Sequence, residues 1–469
     1  MGGVLSQVFT AATMPVLSRI YNPLAYGVWA VFMSAALIVA AVATFRYELA
    51  VVLPEDHGDG LNLLLVGLLS TLAVSLLVLI LLPFLCSVFL DRSLAAELHG
   101  WLWLLPLQVA AAGAFASLSA WLVRTQEFLC YSITQTFLPI SSILAQICLG
   151  VLWTGSAIGL ILGSVIGQVA ALAWLSRTAL KKIPFSDLQV LSWSKMAELS
   201  WKYRVYPIFM TPYTLVGALR ERVVYLILGR FGSKGEAGYY SLSARLVNMP
   251  NSLLSSSLRP VFFQEASGRD YPRLEATVAN VMKLMVIVVV PFWALFLFHA
   301  PSLFALFFGE PWREAGVYAA ILSVPAIPSL LGNWLDRTFD VVGRQRLAFT
   351  LETIFAAVSI TALLSGIWYF QSILVAVSMQ SAVMTVYYLL WLAVVFKILR
   401  FRRSLSGRLL CLAVGWAAVS VLVDRILCVF LEEMYSVIAG ALILFILVGS
   451  YLLKTEGGLF RFGMPGKKL

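Results

Sequence analysis

The sequence predicts an all-α polytopic membrane protein with about fourteen transmembrane helices, and three observations carry that prediction. Of 469 residues, 61% are hydrophobic and 12% charged, with mean hydropathy +0.91. A soluble domain carries about twice that charged share, so there is too little polar surface to cover a globule, and a soluble catalytic domain is excluded. Apolar runs of the length that spans about 30 Å of hydrocarbon as a helix recur from end to end. No ten-residue alternating segments divided by turns recur, so a membrane barrel is not expected.

The runs fall at 3–18, 24–45, 61–83, 101–122, 132–153, 157–176, 205–228, 239–262, 279–299, 314–335, 351–369, 373–396, 409–430 and 436–453, separated by short polar stretches carrying Pro, Gly, Asn or charge. The first is short, which leaves two readings: a tilted or half-embedded helix, or a start upstream of Met1. It has no basic n-region and no small-residue cleavage site, so no removable signal peptide is expected. The cysteines (Cys86, Cys130, Cys148, Cys411, Cys428) form no CxxC, and most lie inside apolar runs, as packing residues do. The histidines (His57, His99, His299) are scattered. No metal cluster and no cofactor are expected.

Orientation follows from the 33 Lys and Arg residues. With the N-terminus inside, the cytoplasmic segments collect 24: Arg46, Arg124, six in 177–204, four in 259–283, three in 336–346, five in 397–408 and four after 453. The opposite face carries five (Arg19, Arg92, Arg230, Lys234, Arg313), and Arg220, Arg222, Arg245 and Arg425 lie within runs. This positive-inside bias places both termini in the cytoplasm. The net charge of +10 is then a property of cytoplasmic loops, not of nucleic-acid binding.

The longest polar connection, 177–204, divides the chain into an N-terminal six-helix lobe at 1–176 and a C-terminal one at 205–396, with 397–469 as an appended helix pair and basic tail. An internal repeat supports the division. Leu17-Ser18-Arg19-Ile20-Tyr21 precedes Gly27 and Trp29, and Leu228-Gly229-Arg230-Phe231-Gly232 precedes Gly238 and Tyr240, with an Arg-to-Gly spacing of eight in both. Two parallel lobes are an architecture of transporters.

Polar residues inside the runs mark the candidate site. An Arg at mid-helix costs about 2.5–3.5 kcal/mol on insertion scales, so a retained one faces a cavity or a partner. In the eighth run Ser241, Arg245, Asn248, Ser252, Ser255 and Arg259 follow at helical spacing on one face of an otherwise apolar helix. Arg245 sits six residues in, roughly 9 Å deep. Small Ser and Asn residues also serve helix–helix packing, but such packing does not explain Arg245. A wet cationic groove does.

In the seventh run Tyr206, Tyr213 and Arg220 share a face with Gly217, and Pro207 and Pro212 should kink the helix or leave backbone groups free near a cavity. Arg220-Glu221-Arg222 reads equally as a self-compensated patch reaching the outer interface. In the second run Arg46-Tyr47-Glu48 interrupts an apolar stretch from Leu24 to Leu53. On a continuous helix Arg46 and Glu48 point to nearly opposite sides, so they are not expected to pair. Gln135, Pro139, Ser142 and Gln146 make a softer stripe, as do Ser6, Thr10 and Thr13. Such groups suit sugars, with Trp101, Trp103, Trp121 or Trp153 stacking on them, although Trp near run ends is more often an interfacial belt residue. Asp424-Arg425 reads as a local ion pair.

No HExxH, GxSxG, P-loop or paired loop carboxylates occur, and the outer loops are short. An enzyme acting on glycans outside the membrane would bring a larger domain, so the chain is not read as an enzyme.

Four motifs carry a resemblance: Pro15-Val16-Leu17-Ser18-Arg19-Ile20-Tyr21-Asn22-Pro23 with Tyr26-Gly27; Phe45-Arg46-Tyr47-Glu48-Leu49-Ala50; Gly238-Tyr239-Tyr240-Ser241-Leu242-Ser243-Ala244-Arg245-Leu246 with Pro250; and Phe308-Gly309-Glu310-Pro311-Trp312 with Ala315-Gly316. In that order they resemble the multidrug/oligosaccharidyl-lipid/polysaccharide (MOP) exporter superfamily, and within it the polysaccharide transporters, the Wzx-type bacterial flippases. The resemblance implies a V-shaped bundle of two six-helix lobes around a central cationic cavity. Functionally important arginines of related lipid II flippases match Arg19, Arg46 and Arg245. Arg220-Glu221-Arg222 matches no family pattern. The last two helices resemble an appended pair that forms a lipid-tail groove in some members.

The expected function is a flippase that moves an undecaprenyl-pyrophosphate-linked oligosaccharide repeat unit from the inner to the outer leaflet of the bacterial cytoplasmic membrane by alternating access. Arg19, Arg46, Arg220 and Arg245 would hold the pyrophosphate. Ser241, Asn248, Ser252, Gln135, Gln146 and Tyr213 would meet the sugars. A Na+ or H+ gradient or the membrane potential would drive the cycle, with Glu48 and Glu221 as candidate coupling groups beside Glu352 and Asp424. Expected partners are the lipid-linked oligosaccharide, membrane lipids, and a polysaccharide polymerase and chain-length regulator. The competing readings are a multidrug or other small-molecule antiporter on the same fold, a polysaccharide polymerase or ligase component, and a structural scaffold.

Overall fold

A computed structural model describes residues 2–89, 101–153, 155–181, 190–232, 235–268, 271–431 and 433–459. Among them the regular structure is helical throughout. In chain order the helices are α1 (Gly2–Ile20), α2 (Pro23–Ala43), α3 (Tyr47–Ala50), α4 (His57–Phe89), α5 (Leu104–Arg124), α6 (Phe128–Leu152), α7 (Ala157–Leu180), α8 (Trp193–Lys202), α9 (Thr211–Phe231), α10 (Glu236–Ser267), α11 (Tyr271–Phe308), α12 (Arg313–Gly332), α13 (Thr338–Val341), α14 (Gln345–Phe370), α15 (Ile373–Ile398), α16 (Arg403–Phe430) and α17 (Glu433–Leu459).

Eleven helical segments among the described residues are long and apolar enough to cross a membrane. Each corresponds to one of the fourteen apolar runs, and the remaining three runs form α1, α9 and α10. The shortfall has a physical cause. Helix α9 carries Arg220, Glu221 and Arg222, and α10 carries the Ser/Asn/Arg stripe, which makes these two long helices less apolar than their neighbours.

The chain forms two compact units. The first comprises Met1–Leu246, Phe307–Ala315 and Leu351–Ala376; the second comprises Val247–Leu306, Gly316–Thr350 and Val377–Leu469. Helix α10 passes from one to the other at Leu246.

In the first unit, Asn22 caps α2 by accepting the Ala25 amide at 2.8 Å, and Pro23 fills the position where a missing amide costs nothing. One end of this unit is packed around Trp121, Leu122, Leu63, Leu175, Ala179 and Leu199, all at most 1% exposed. There Arg124 donates to the carbonyls of Val51, Pro54 and Asp56 at 2.7–2.8 Å, closing the turn before α4. Helix α8, within the 177–204 connection, is tied to the same end. The Tyr47 hydroxyl donates to Ser200 O at 3.1 Å, and Ser192 N donates to Asn62 Oδ1 at 3.2 Å. The Glu198 carboxylate, 3.3 Å from Lys195 Nζ, and then Asp59 hold that ammonium above its ordinary pKa. Residues 182–189 of the connection lie outside the described residues.

The glycines of the internal repeat meet each other. A Cβ on Gly238 would lie 1.9 Å from the Pro23 carbonyl oxygen and 3.0 Å from Gly27 N, so α2 and α10 cross at backbone contact. Gly238→Ala must therefore push the helices apart. We expect it to lower the melting temperature in detergent, at about 1–3 kcal/mol of overpacking. Gly415→Ala, which meets nothing within 4 Å, should leave it unchanged. Equal melting of the two variants would overturn this reading of the crossing.

The second unit holds a polar ladder between α10 and α12. Ser255 donates to Asn251 Oδ1 at 3.0 Å, Asn251 and Asn333 both donate to Ser329 Oγ at 2.8 and 3.0 Å, and Arg259 pairs with Asp336 at 3.0 Å. The lower half of the α10 stripe is thus engaged within the protein.

Candidate functional site

Helix α10 presents Arg245 half-buried in the first unit, with its guanidinium 5.9 Å from the ring centre of Trp29 on α2. That indole is fixed from behind. Trp29 Nε1 donates to Ser164 Oγ at 2.8 Å, Gln146 Nε2 donates to the same oxygen at 2.9 Å, and the Ser164 hydroxyl donates to Leu160 O at 2.9 Å. One serine hydroxyl thereby uses its proton and both lone pairs to hold the aromatic face toward Arg245.

Tyr26, one helical turn earlier, packs edge-on against Trp29 and Trp312, with ring centres 5.8 and 5.0 Å apart. Trp312 Nε1 donates to Ser18 O at 2.9 Å, and the Tyr21 hydroxyl donates to Gln146 O at 2.6 Å. Three of the four motifs that carry the resemblance therefore assemble around one point. The Tyr26 hydroxyl is buried with no hydrogen-bond partner among the described residues. It interacts electrostatically with Arg245, as do Tyr225 and the half-buried Arg222 of α9.

Neither Arg245 nor Arg222 has a carboxylate partner among the described residues. Two arginines and an orphaned phenol in a partly buried setting suit an anion with several acceptor oxygens, which would complete their hydrogen bonds and offset their repulsion.

A second constellation lies on α9. Arg220 Nη2 is 3.3 Å from Glu352 Oε1 on α14, with both side chains 17% exposed, and the Tyr213 hydroxyl donates to Glu352 Oε2 at 3.4 Å. Glu221, at 62% exposure and 3.8 Å, is the weaker partner of Arg220. At the two prolines the chain makes a wide π-helical turn over Tyr206–Met210, which includes Pro207, and Pro212 enters the first turn of α9.

Arg46 and Glu48 correct the sequence expectation. They form an ion pair at 2.9 Å, and Glu48 also accepts from Thr44 Oγ1. The reason is that the helix does not continue. Phe45 and Arg46 adopt left-handed φ of 47° and 61°, and the turn swings both side chains to one side. The same turn leaves Arg46 Nε buried without a hydrogen-bond partner among the described residues.

The remaining candidates scatter. Ser241 is buried, while Asn248 and Ser252 are exposed, and the Ser252 hydroxyl turns back to Met249 O. Gln135 is half-buried, and Arg19 is exposed at the end of α1. Gln146 is 4% exposed, and its Nε2 donates to Ser164 and Leu160, so it braces Trp29. Trp121 is fully buried in the core, away from any sugar-stacking role. Asp424 pairs with His299 at 2.7 Å rather than with neighbouring Arg425. Sequence reasoning did not assign Trp29, Arg222 or Glu352 to the substrate site.

Known proteins agree with this architecture. The family described as "Polysaccharide biosynthesis protein" matches residues 16–317. A solved lipid II flippase MurJ in an inward-closed conformation superposes with TM-score 0.75 at 12% identity, covering 97% of this chain and 98% of that one. A MATE family multidrug resistance transporter of the MOP superfamily in an inward-facing conformation gives TM-score 0.58 at 12% identity, over 83% and 96%. A mutant of the Vibrio cholerae MATE transporter VcmN gives 0.51 at 14%, over 86% and 95%. No curated protein sequence matches. With the family covering well over half of the sequence and the fold shared over 97% of the chain with the first of these structures, the chain is a multi-pass membrane member of the polysaccharide biosynthesis protein family, built on the MOP exporter fold.

Proposed function

We propose that this protein is a flippase for an oligosaccharide repeat unit linked through pyrophosphate to undecaprenyl, carrying it from the inner to the outer leaflet of the bacterial cytoplasmic membrane. The observation that carries the proposal is the pair of half-buried arginines, Arg222 and Arg245, without a carboxylate partner and beside the orphaned Tyr26 hydroxyl. A pyrophosphate crossing about 30 Å of hydrocarbon must exchange its hydration for fixed donors, and guanidinium forks supply them at a site already partly dry. Arg19, Arg46 and Arg220 are the further cations on its route. The polyprenyl tail stays in lipid.

Both termini are read as cytoplasmic from the distribution of Lys and Arg. The two lobes, 1–176 and 205–396, joined by 177–204 and followed by the pair in 397–469, are read as the parts that alternate access. Substrate release requires that the cations be few and alternately exposed, and the membrane potential acts directly on the charge that moves. The chain supplies donors and a path, with no bond made or broken.

A multidrug antiporter on the same fold is the second reading. A site for cationic drugs calls for uncompensated acid. Here Glu48 and Glu352 are neutralised by Arg46 and Arg220 while Arg222 and Arg245 are not, which favours the anionic substrate.

The test is reconstitution of the purified chain in liposomes with a fluorescent undecaprenyl-pyrophosphate oligosaccharide, scored by quencher access from one side. Accelerated exchange of the lipid-linked sugar over protein-free liposomes is expected. Exchange at the protein-free rate, together with export of a cationic dye, would replace this proposal with the antiporter.

A further inference from the structure

The helix pair α16–α17 carries a buried polar cluster that neither the fold nor the proposed transport uses. His299 Nε2 of α11 lies 2.7 Å from Asp424 Oδ1 of α16, and the two side chains are 6% and 7% exposed. Cys428, one turn further along α16, places its Sγ 3.8 Å from the same carboxylate oxygen and 3.5 Å from Ser436 Oγ of α17. Ser436 is completely buried. One ligand atom from each of His299, Asp424 and Cys428 lies within 4.8 Å of the others. Three helices thus bring an imidazole, a carboxylate, a thiol and a hydroxyl to one point. Beside it Leu295, Val437 and Leu444 pack in an apolar patch, and a Cβ on Gly440 would meet Leu295 at 3.5 Å.

We propose that His299, Asp424 and Cys428 form a site for a divalent transition-metal cation of the Zn2+ class, which clamps α16 and α17 to α11. The donor set is that of zinc: a neutral imidazole, a carboxylate and a thiolate, with water or the Ser436 hydroxyl in the fourth position. The i, i+4 spacing of Asp424 and Cys428 puts two ligands on one helical face. Zinc bond lengths of about 2.0–2.3 Å set tetrahedral ligand atoms about 3.3–3.6 Å apart, so side-chain shifts of about 1 Å suffice.

The charge balance selects a divalent ion. The Cys428 thiol releases its proton to solvent as the metal–sulfur bond forms. One dication with one carboxylate and one thiolate is neutral, which its apolar surroundings tolerate where a net charge would be costly. Cys428 is exposed two residues before the end of α16, the end from which the cation would enter.

The test uses the full chain, purified without a polyhistidine tag, stripped with a chelator and titrated with Co2+, then with Zn2+. We expect one Co2+ per chain, the intense visible bands of tetrahedral cobalt, a near-ultraviolet thiolate-to-cobalt band, loss of both on adding Zn2+, and a higher melting temperature when loaded. Cys428→Ser, at an exposed position where folding is not at stake, should abolish the thiolate band and weaken binding at least about 100-fold, the upper end of what losing even an outer-sphere partner costs. His299→Gln should weaken binding to a similar degree while the thiolate band stays in whatever metal remains bound. If His299→Gln fails to fold, Cys428→Ser alone decides. Absence of tetrahedral bands, or bands unchanged in Cys428→Ser, would overturn the site and leave His299–Asp424 as an ion pair only.

Discussion

Arg245→Ala is expected to slow transport by about one to two orders of magnitude while leaving the protein at least as stable as the parent. The two halves of that expectation come from the same geometry. Arg245 makes a cation–π contact to Trp29 at 5.9 Å and has no carboxylate among the described residues, so removing it forfeits about 0.5–2 kcal/mol. Against that loss stands relief of repulsion from Arg222 and of the penalty for desolvating a guanidinium. Transport loses a charge-assisted donor to phosphate, about 1.5–3 kcal/mol, or roughly 10- to 100-fold in rate. In a flippase-deficient host, surface polysaccharide should fall steeply and the lipid-linked precursor should accumulate on the inner leaflet. Arg245→Lys keeps the charge but not the fork, and should fall between. Tyr26→Phe removes only the orphaned hydroxyl and should lower the rate a few-fold without lowering the melting temperature. An Arg245→Ala variant that melts lower and still displays polysaccharide would make Arg245 a structural residue and remove the anion site with it.

How much of this was legible in the sequence depends on which physical signal each feature rests on. Apolar runs and helices agree because lipid forces every backbone amide into a helix, and three of the four motifs meet because each supplies a packing partner to the others: Ser18 O to Trp312, Gly238 to Pro23. Arg245 stood out because nothing else in an apolar helix explains it. Arg222 did not, since Glu221 beside it suggests neutralisation, whereas Glu221 is 62% exposed and approaches Arg220 at 3.8 Å instead. Glu352 could not be matched to Arg220 from sequence, because 132 positions separate them and no periodicity links two helices that far apart. The Arg46–Glu48 pair was excluded on helical geometry that holds only if the helix continues. Two successive left-handed residues, neither of them glycine, leave no mark in the sequence. Gln146 lies on the predicted stripe, and its amide nitrogen turns inward to Ser164 and Leu160, a bracing role toward Trp29 that the stripe does not reveal.

The Arg220–Glu352 pair gives the second large effect, and here stability and transport should separate. Both side chains are 17% exposed at 3.3 Å, so deleting one partner strands the other. Glu352→Ala should cost about 3–5 kcal/mol and melt well below the parent, and Arg220→Met should do likewise. The double replacement Arg220→Met with Glu352→Leu puts two apolar groups of similar volume in place of the pair, and such exchanges are neutral or stabilising by about 1–4 kcal/mol. The double variant should therefore regain the parental melting temperature. Transport should stay absent, because the proposed cycle needs Arg220 to leave Glu352 for the pyrophosphate and return to it when the substrate departs. Tyr213, bonded to the same carboxylate at 3.4 Å, would hold Glu352 in place during the exchange. If the stable double variant transports at the parental rate, the pair only fastens α9 to α14, and the cationic path reduces to Arg222 and Arg245. A stable variant that does not transport would show that nature retains a buried charge pair here for its reversibility, since apolar residues would have held the helices together equally well.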